Sequence, residues 1–448
     1  MSNKQMKLGA FFNLPGHHVA SWRHPQTEAH RTFDLEYLQD LARLAERGKF
    51  DMIFFADVLG LRPSGNQAAS ALKLDPLIIL AALASVTKHI GLTATLTTTY
   101  NEPYQVARKF AAIDHLSKGR AAWNVVTSAN ERESLLFGKL KHLEHARRYE
   151  RADEFVEVVK KLWLSIEREA IVLDKEGGRI LDVEKLHPLD FEGEWFKVQG
   201  LLDAPSTPQG HPVIVQAGSS EAGKDLAAKT AEVIFTAWQT LEEAQTFYRD
   251  VKGRLAKYGR KPDDLKIMPG VFITVAKTEA EAIAKRKELN SYILPEVGLE
   301  YLSNFIGTDL TGYDVDAPLP EFAASEDKTN PQIRSNLIRA LAEREGLTTI
   351  REVYEHIAGA RGHREIVGTP GQIADQLEEW FLNEGADGFN IMPPTFPEGF
   401  RDIVELVIPE LQRRGLFRTE YESTTLRGNL GLSVPAYPSR KEAPSALI

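Results

Sequence analysis

The chain has 448 residues, 43% of them hydrophobic and 26% charged, with a formal net charge of -9 and no cysteine. That is ordinary globular usage with ample material for a core, and the acidic balance excludes electrostatic docking on nucleic acid or on an anionic membrane, both of which need basic faces. Without cysteine, disulfides, thiolate nucleophiles and Cys-ligated zinc or iron–sulfur centres are excluded together.

The first residues, MSNKQMKLGAFF, have only a short apolar stretch and no small-residue cleavage site, so they read as a first strand and not as a signal peptide. The longest apolar run, residues 76–86, is about half a membrane span and reads as a buried helix. A soluble, cytoplasmic protein with a small-molecule partner is expected, with no role for nucleic acid or membrane.

Short apolar runs begin at Met6, Asp51, Ile90, Ala121, Pro212, Ala231, Ile267 and Ala386. Each leads towards a helical pattern, and the stretches 35–47, 106–116, 146–163, 241–258 and 371–381 carry apolar residues at spacings of three and four. Near-continuous hydrophobic strands alternating with helices predict a parallel sheet covered on both faces. Eight such units match an α/β fold of the (β/α)8 TIM-barrel type, which gathers chemistry at the C-terminal strand ends; a doubly wound open sheet is the alternative. Two stretches leave the repeat, at about 167–203 and 291–368, and are expected as insertions in a single barrel domain spanning 1–448. The second contains the polar run SEDKTNP at 325–331, followed by two helical patterns. A long excursion on the active face reads as a lid or a substrate wall. From about residue 417 periodicity is lost, and a tail is expected to pack along the surface or on a neighbouring subunit.

Candidate chemistry follows the strand ends. His17 and His18 lie after the first run, in NLPGHHVASWRHP, where histidines suit proton transfer near neutral pH; a loop histidine bonded to backbone is the other reading. Asp57 ends the second run, Thr97, Thr98 and Thr99 the third, Asn124 lies in the fourth, and Gln216 and Gly218 end the fifth. Such neutral hydrogen-bonding groups at one mouth suit a planar heteroaromatic ring, whereas their bland role is helix capping. His142 and His145 precede a long helical pattern, but no HExxH or carboxylate–histidine spacing follows, so no metal site is expected. An anion contact by His145 and Tyr149 is the functional alternative to a solvated first turn.

Residues 213–225, VIVQAGSSEAGKD, write a phosphate cradle: β-branched residues, then Gly218, Ser219, Ser220 and Gly223 where free amides of a helix N-terminus point at an anion. The spacing to Gly223 and Lys224 mimics a nucleotide-triphosphate loop, but Asp225 replaces the magnesium-binding Ser or Thr and would repel the phosphates. A phosphate-bearing cofactor other than ATP or GTP is indicated. Further on, GARGHRE at 359–365 supplies Arg361, His363 and Arg364, which either clamp an anionic substrate or form a solvated basic loop.

Several long, collinear motifs carry a resemblance: GHHVASWRHP (16–25), ERGKFDMIFFAD (46–57), TTTYNEPYQVAR (97–108), DHLSKGRAAWNVVTSAN (114–130), HARRYERADEF (145–155), PQGHPVIVQAGSSEAGK (208–224), ADGFNIMPP (386–394) and VIPELQRRGLFRTEY (407–421). From about residue 6 to 432 the chain resembles the bacterial luciferase-like flavin monooxygenases, in the branch of the nitrilotriacetate, EDTA, dibenzothiophene sulfone and long-chain alkane enzymes. The resemblance implies a luciferase-like barrel using FMN, as FMNH2 supplied by a separate NAD(P)H:flavin reductase, with O2 as co-substrate and a homodimer or homotetramer as the assembly. By motif match it implies flavin contacts at Asp57, Thr97, Asn124, His145, Tyr149, Gly218, Ser219 and Ser220, the last three on the phosphate. His17 would manage protons, with His18, Arg361, His363 and Arg364 on the substrate or lid side. Leu14 stands where the alkane enzyme has cysteine, Ala129 where a further site histidine follows NVVTS, and Phe305 where the sulfone enzyme has histidine, which speaks against alkane and sulfone substrates; TTTYNEPY, PQGHPVIVQAGSS, GRLAKYGR (253–260) and ADGFNIMPP look closest to the aminopolycarboxylate oxygenases. The implied reaction oxidises a carbon beside nitrogen in a carboxylated substrate and so cleaves a C–N bond. Cleavage of a C–S bond in an S-substituted cysteine or sulfone, and a non-catalytic flavin-binding barrel, are the alternatives.

Overall fold

The computed structural model describes residues 4–60, 72–128, 130–320 and 330–438. The first four apolar runs form β1 (Lys7–Phe11), β2 (Met52–Phe55), β3 (Gly91–Thr97) and β4 (Ala121–Val126). Two hairpins come next, β5 (Ile171–Asp174) with β6 (Arg179–Leu181) and β7 (Leu189–Glu192) with β8 (Lys197–Gly200), within the first expected insertion. The chain then forms β9 (Val213–Gln216), β10 (Val233–Thr236), β11 (Lys266–Val275), β12 (Arg364–Gly368) and β13 (Gly388–Met392).

All the strands except β12 and the two hairpins pair in parallel in chain order, and the β10–β11 and β13–β1 ladders close the ring. Closure excludes the doubly wound alternative, whose sheet would have two free edges; the fold is a (β/α)8 barrel. Each of the eight expected runs supplies one of its strands. Inward residues including Phe11, Met52, Phe54, Val215, Val233, Met268 and Phe272 fill the interior. The opposite strand faces pack on the surrounding helices in a larger cluster that includes Leu8, Ile53, Leu92, Trp123 and Ile214. Two-sided burial is why these strands read as continuous apolar runs.

The helices α1 (Leu35–Arg47), α3 (Pro103–Leu116), α5 (His145–Trp163) and α7 (Leu241–Arg254) follow the spacing patterns, α2 (Pro76–Ala84) is the apolar run and α6 (Glu221–Thr230) follows the cradle, while α4 (Glu133–Leu136) and α8 (Glu279–Ser291) have no counterpart among the patterns. Asp34 and Asp75 cap α1 and α2, while Thr240 and Thr278 form capping boxes with Glu243 and Glu281, satisfying amides that a helix start leaves unpaired.

In the second insertion, α9 (Pro295–Ile306), α10 (Asn330–Glu345) and α11 (Ile350–Ala360) enclose a small core of their own, with Leu302, Ile338, Val353 and Ile357 closed against Val19 and Ala20 of the loop after β1. Residues 325–329 of the expected polar run lie outside the described residues. After α11 the backbone turns through Arg361 (φ 51°) and Gly362 (φ 86°), and β12 takes over the edge of β11 from Val271, beyond the last β10 partner at Pro269. That handover sets Arg361 and His363 above the barrel mouth.

The tail departs from expectation. Arg418, Leu426, Arg427, Asn429 and Leu430 are buried, and Leu426 and Leu430 join the cluster inside the barrel, with Leu426 pressed on Gly91 at the foot of β3. The open N-terminal end of the barrel would otherwise leave apolar side chains in water, and this helical turn with two leucines closes it. A plug of one turn is too short to show helical periodicity.

Candidate active site at the barrel mouth

The cradle after β9 is built as its sequence suggests. Ser220 caps α6, its Oγ accepting from the Gly223 amide at 3.1 Å. Tyr149, one turn into α5, brings its Oη to the same place: a Cβ on Gly218 would stand 3.5 Å from it and a Cβ on Gly223 3.2 Å. His145 packs its ring on Tyr149 at 4.9 Å while remaining exposed. Gly218, Ser219, Ser220, His145 and Tyr149 are thereby brought together around a helix N-terminus, a place whose amides and helix dipole favour negative charge. Lys224 is spent elsewhere, on Glu221 at 2.6 Å and Asp250 at 2.7 Å, and Asp225 accepts from Tyr258 at 2.7 Å. Both are ordinary first-turn residues, which removes the resemblance to a triphosphate loop.

Inside the mouth lies an aromatic floor. Phe11, Phe54 and Phe235 contact one another at 5.1–5.5 Å. Two histidines stand on it: His17 edge-on to Phe11 at 4.5 Å, and His363 stacked on Phe235 at 5.0 Å. His363 occupies space that exists because residue 270 is glycine, since a Cβ there would lie 2.5 Å from its Nδ1. His17 Nε2 bonds the Phe11 carbonyl at 3.0 Å, and its Nδ1, fully buried, has no partner among the described residues. Burial, reinforced by the Arg361 charge, holds the His17 pKa well below the usual histidine value. Burial likewise lowers His363 to about 4, partly offset by a hydrogen bond to the Thr236 backbone. Both rings are neutral at neutral pH.

Several buried polar atoms at this end of the barrel lack a partner among the described residues: Asn124 Oδ1 and both Oδ1 and Nδ2 of Asn390 on inward strand positions, Gln216 Oε1 beside the cradle, and Thr236 Oγ1 on the opposite strand face from Phe235. Asn124 Nδ2 meanwhile donates to Thr95 Oγ1 at 2.8 Å, which fixes the direction of its free oxygen. Native proteins rarely leave such groups unsatisfied, and a cluster of them marks where a polar ligand completes the bonding. Thr97 ends β3 as expected, and Asp57 lies two residues beyond β2, its carboxyl pKa raised by burial against the opposing charge of Lys73.

Two expected members do not join this group. His18 turns towards α8, where its Nε2 meets Asn290 Oδ1 at 2.9 Å and its Nδ1 accepts from the Ala20 amide; burial lowers its pKa to about 4. Its role is to fasten the β1 loop under the insertion. Arg364 lies on β12 with its side chain directed outward, donating to the Gln239 carbonyl and Gln376 Oε1 and covering the Trp380 ring at 5.0 Å. Alternation along the strand sends it away from the face that Arg361 and His363 approach. Phe305 packs on the insertion core, and Ala129 lies outside the described residues. Asn390 and Thr236 are further buried polar residues here that the motifs do not single out, although each is the sole polar side chain of its strand, GFNIM and VIFT.

The model of the family described as luciferase-like monooxygenase matches residues 14–388. The chain is 52% identical over 446 residues to nitrilotriacetate monooxygenase component A of Aminobacter aminovorans, covering 97% of this chain and 98% of that protein. It is also 52% identical over 433 residues to N-acetyl-S-(2-succino)cysteine monooxygenase of Bacillus subtilis (strain 168), covering 96% and 98%. The solved structure of EDTA monooxygenase from Chelativorans sp. BNC1 superposes with a TM-score of 0.80 at 33% identity over 96% of this chain and 98% of that one. With a closed barrel, an anion cradle and unsatisfied polar groups at its mouth, the chain belongs to the luciferase-like monooxygenase family, in the flavin-dependent branch that contains these enzymes.

Proposed function

We propose that the protein is the oxygenase component of a two-component system, using FMNH2 from a separate NAD(P)H:flavin reductase and O2 to oxidise a carbon that lies between a heteroatom and a carboxylate. The observation that carries the cofactor is the cradle: Gly218 and Gly223 bring bare backbone to the start of α6, Tyr149 adds a hydroxyl beside them, and the α6 N-terminus suits the FMN phosphate. The unpartnered atoms of Asn124 and Gln216 fit the polar rim of an isoalloxazine ring. Reduced flavin, when bound, supplies the two electrons that let one oxygen atom enter the substrate while the other leaves as water. The protein's part is to orient the ring, exclude water with the helices α9 to α11, and keep a neutral His17 beside the reacting centre to accept or return a proton at Nδ1.

The substrate class rests on two relatives of equal identity. Nitrilotriacetate and an S-succinylated cysteine differ in heteroatom, but each places a C–H carbon directly between that atom and a carboxylate. Hydroxylation there yields a hemiaminal or hemithioacetal-type carbon, which collapses to an oxo acid and the freed amine or thiol. C–N cleavage in an aminopolycarboxylate is the preferred form. C–S cleavage is the second reading, favoured by the succinocysteine relative. Arg361, above the floor and close enough to lower the pKa of His17 and His363, is positioned to receive a substrate carboxylate.

The test combines the purified protein with a flavin reductase, NADH, FMN and O2, and follows oxo-acid release from aminopolycarboxylates and S-succinylated thiols by mass spectrometry. An amine product selects the first form and a thiol the second; no substrate-dependent product from either class would overturn the proposal.

A further inference from the structure

Beside the mouth, three side chains from a strand end, a loop and a helix make a hydrogen-bonded chain. Ser128, held at φ 48° just after β4, has its Oγ 2.8 Å from Thr97 Oγ1 and 2.6 Å from Glu133 Oε2. All three are buried, Glu133 to 3% exposure, which is unusual for a carboxyl with no basic partner in contact among the described residues. Thr97 Oγ1 also accepts the Thr99 amide at 3.1 Å. The Ser128 backbone is pinned in turn, its carbonyl bonded by His142 Nε2 at 2.8 Å while His142 Nδ1 meets Tyr100 Oη at 2.6 Å.

Ser128 owns one hydroxyl hydrogen and has two neighbours that compete for it. When the carboxyl is protonated, Glu133 donates to Ser128 and Ser128 donates to Thr97. Both Thr97 lone pairs are then used, and its hydrogen is left for a ligand in the mouth. When Glu133 is ionised, Ser128 donates to the carboxylate, Thr97 must donate to Ser128, and what Thr97 shows the mouth is a lone pair. We infer that Glu133, acting through Ser128, sets whether Thr97 offers a hydrogen or a lone pair to the ligand at the mouth. A change of state moves one proton onto or off the carboxyl and reorients two hydroxyls, with no other bond changed. Glu133 is thus a positioning residue, and Thr97 the group that touches the ligand.

The groups that face the carboxyl make it responsive. Burial raises its pKa first, Asp57 from the β2 loop raises it further, and Arg148 of α5 and the Ser128 hydrogen bond oppose them. Tyr100, beside it on the β3 loop, is itself raised by burial and by the Glu133 charge, whereas burial lowers His142.

The inference rests on the flavin reading for its ligand, so the experiment separates the two. Oxidised FMN is titrated into the full chain from about pH 4.5, the ordinary glutamate range, to about pH 8.5 and followed by flavin fluorescence, comparing the native protein with Glu133→Gln, Thr97→Val and Thr97→Ser. Titration of the FMN phosphate is common to all four, so only differences between them count. Affinity of the native protein should change by about tenfold more across that range than that of Glu133→Gln or Thr97→Val, and Thr97→Ser should restore the native profile. A Glu133→Gln profile matching the native one overturns the inference. If FMN does not bind at all, the flavin reading fails, and the chain is judged in flavin-free protein by carbon-13 NMR of the Glu133 carboxyl. Its titration should move upward in Ser128→Ala and shift in Thr97→Val; an unmoved titration in both overturns the relay itself.

Discussion

At the closed foot of the barrel four acidic side chains each accept a backbone N–H near the start of a barrel strand: Asp51 from Leu8, Asp114 from Ala121, Glu232 from Ile214 and Asp387 from Ile267. Each has a second partner as well, Arg418 for Asp51, Gln209 for Asp114, Arg427 for Glu232 and Lys252 for Asp387. At the mouth, Asn124, Gln216, Thr236 and Asn390 are equally buried and keep polar atoms without partners among the described residues. An unsatisfied buried polar group costs roughly 1–3 kcal/mol. At the foot Asp114 Oδ2, Arg418 Nη1 and Arg427 Nε are also without partners among the described residues, but each of these side chains holds a strand or a carboxylate through its other atoms, whereas at the mouth Asn390 is bonded at neither end of its amide. The contrast teaches that stability and binding are separated along one axis of one barrel, as the fold class leads one to expect.

The largest effect should come from breaking the foot. Arg418→Ala leaves the Asp51 carboxylate, wholly buried, without its cation, and loss of one partner of a buried pair costs about 3–5 kcal/mol. Urea unfolding should show that loss, while FMN affinity per folded molecule stays at the native value. At the mouth the reverse holds for His17→Phe. A phenyl ring keeps the edge contact with Phe11 but cannot carry a proton, so turnover in the coupled assay should fall by about 10²-fold, with the unfolding midpoint nearly unchanged. Loss of stability instead of turnover would place His17 with the structural groups.

The foot also makes a pH prediction of intermediate size. Burial raises Asp114 to about 6, against two hydrogen bonds to its Oδ1. The native state therefore keeps a proton that the unfolded chain releases near pH 4. That stability is complete below about pH 4 and is lost as pH rises to about 6, on the order of 2–3 kcal/mol. Glu232 slopes the other way: with Arg427 against it the pKa is lowered to about 2 despite burial, so its contribution is full above about pH 4.3 and is lost as pH falls towards 2. Asp114→Asn keeps both hydrogen bonds to Oδ1 and removes only the first slope. Urea unfolding at about pH 4, 6 and 8 should find the variant more stable than the native chain at pH 8 by on the order of 2 kcal/mol; a native chain whose stability does not fall between pH 4 and 6 refutes the assignment.

The barrel was legible in the chain because two-sided burial demands eight apolar runs, and the cradle because glycines and serines before a helix have few other uses. The foot was not. Arg418 and Arg427 look like surface charges until Asp51 and Glu232 are seen across from them, 367 and 195 residues away. His18 and Arg364 carried the right chemistry beside the right neighbours, yet one residue of displacement along a loop or strand turned each to another face. Ser128 and Glu133 left no trace in the sequence, since a serine after a strand and a glutamate in a short helix are normally solvated, and only the left-handed backbone at Ser128 brings them to Thr97.

The smallest expected effect is the sharpest test of the comparison. Asn390 stands on β13 over Gly9, where a Cβ would come within 2.5 Å of its Oδ1, and neither end of its amide is satisfied. Leucine keeps the forked skeleton of asparagine and has no polar atoms to leave unpaired, so, if its larger methyls are accommodated over Gly9, Asn390→Leu should stabilise the ligand-free protein by about 1 kcal/mol and weaken flavin or substrate binding. Both quantities are read from one sample, unfolding in urea without ligand and fluorescence titration with FMN. Since every buried carboxylate at the foot loses stability when its partners go, a gain at Asn390 would show that the mouth's polar residues are held against the fold's own preference. A loss of more than about 1 kcal/mol would mean that Asn390 is bonded within the protein and that the mouth is built on the same terms as the foot.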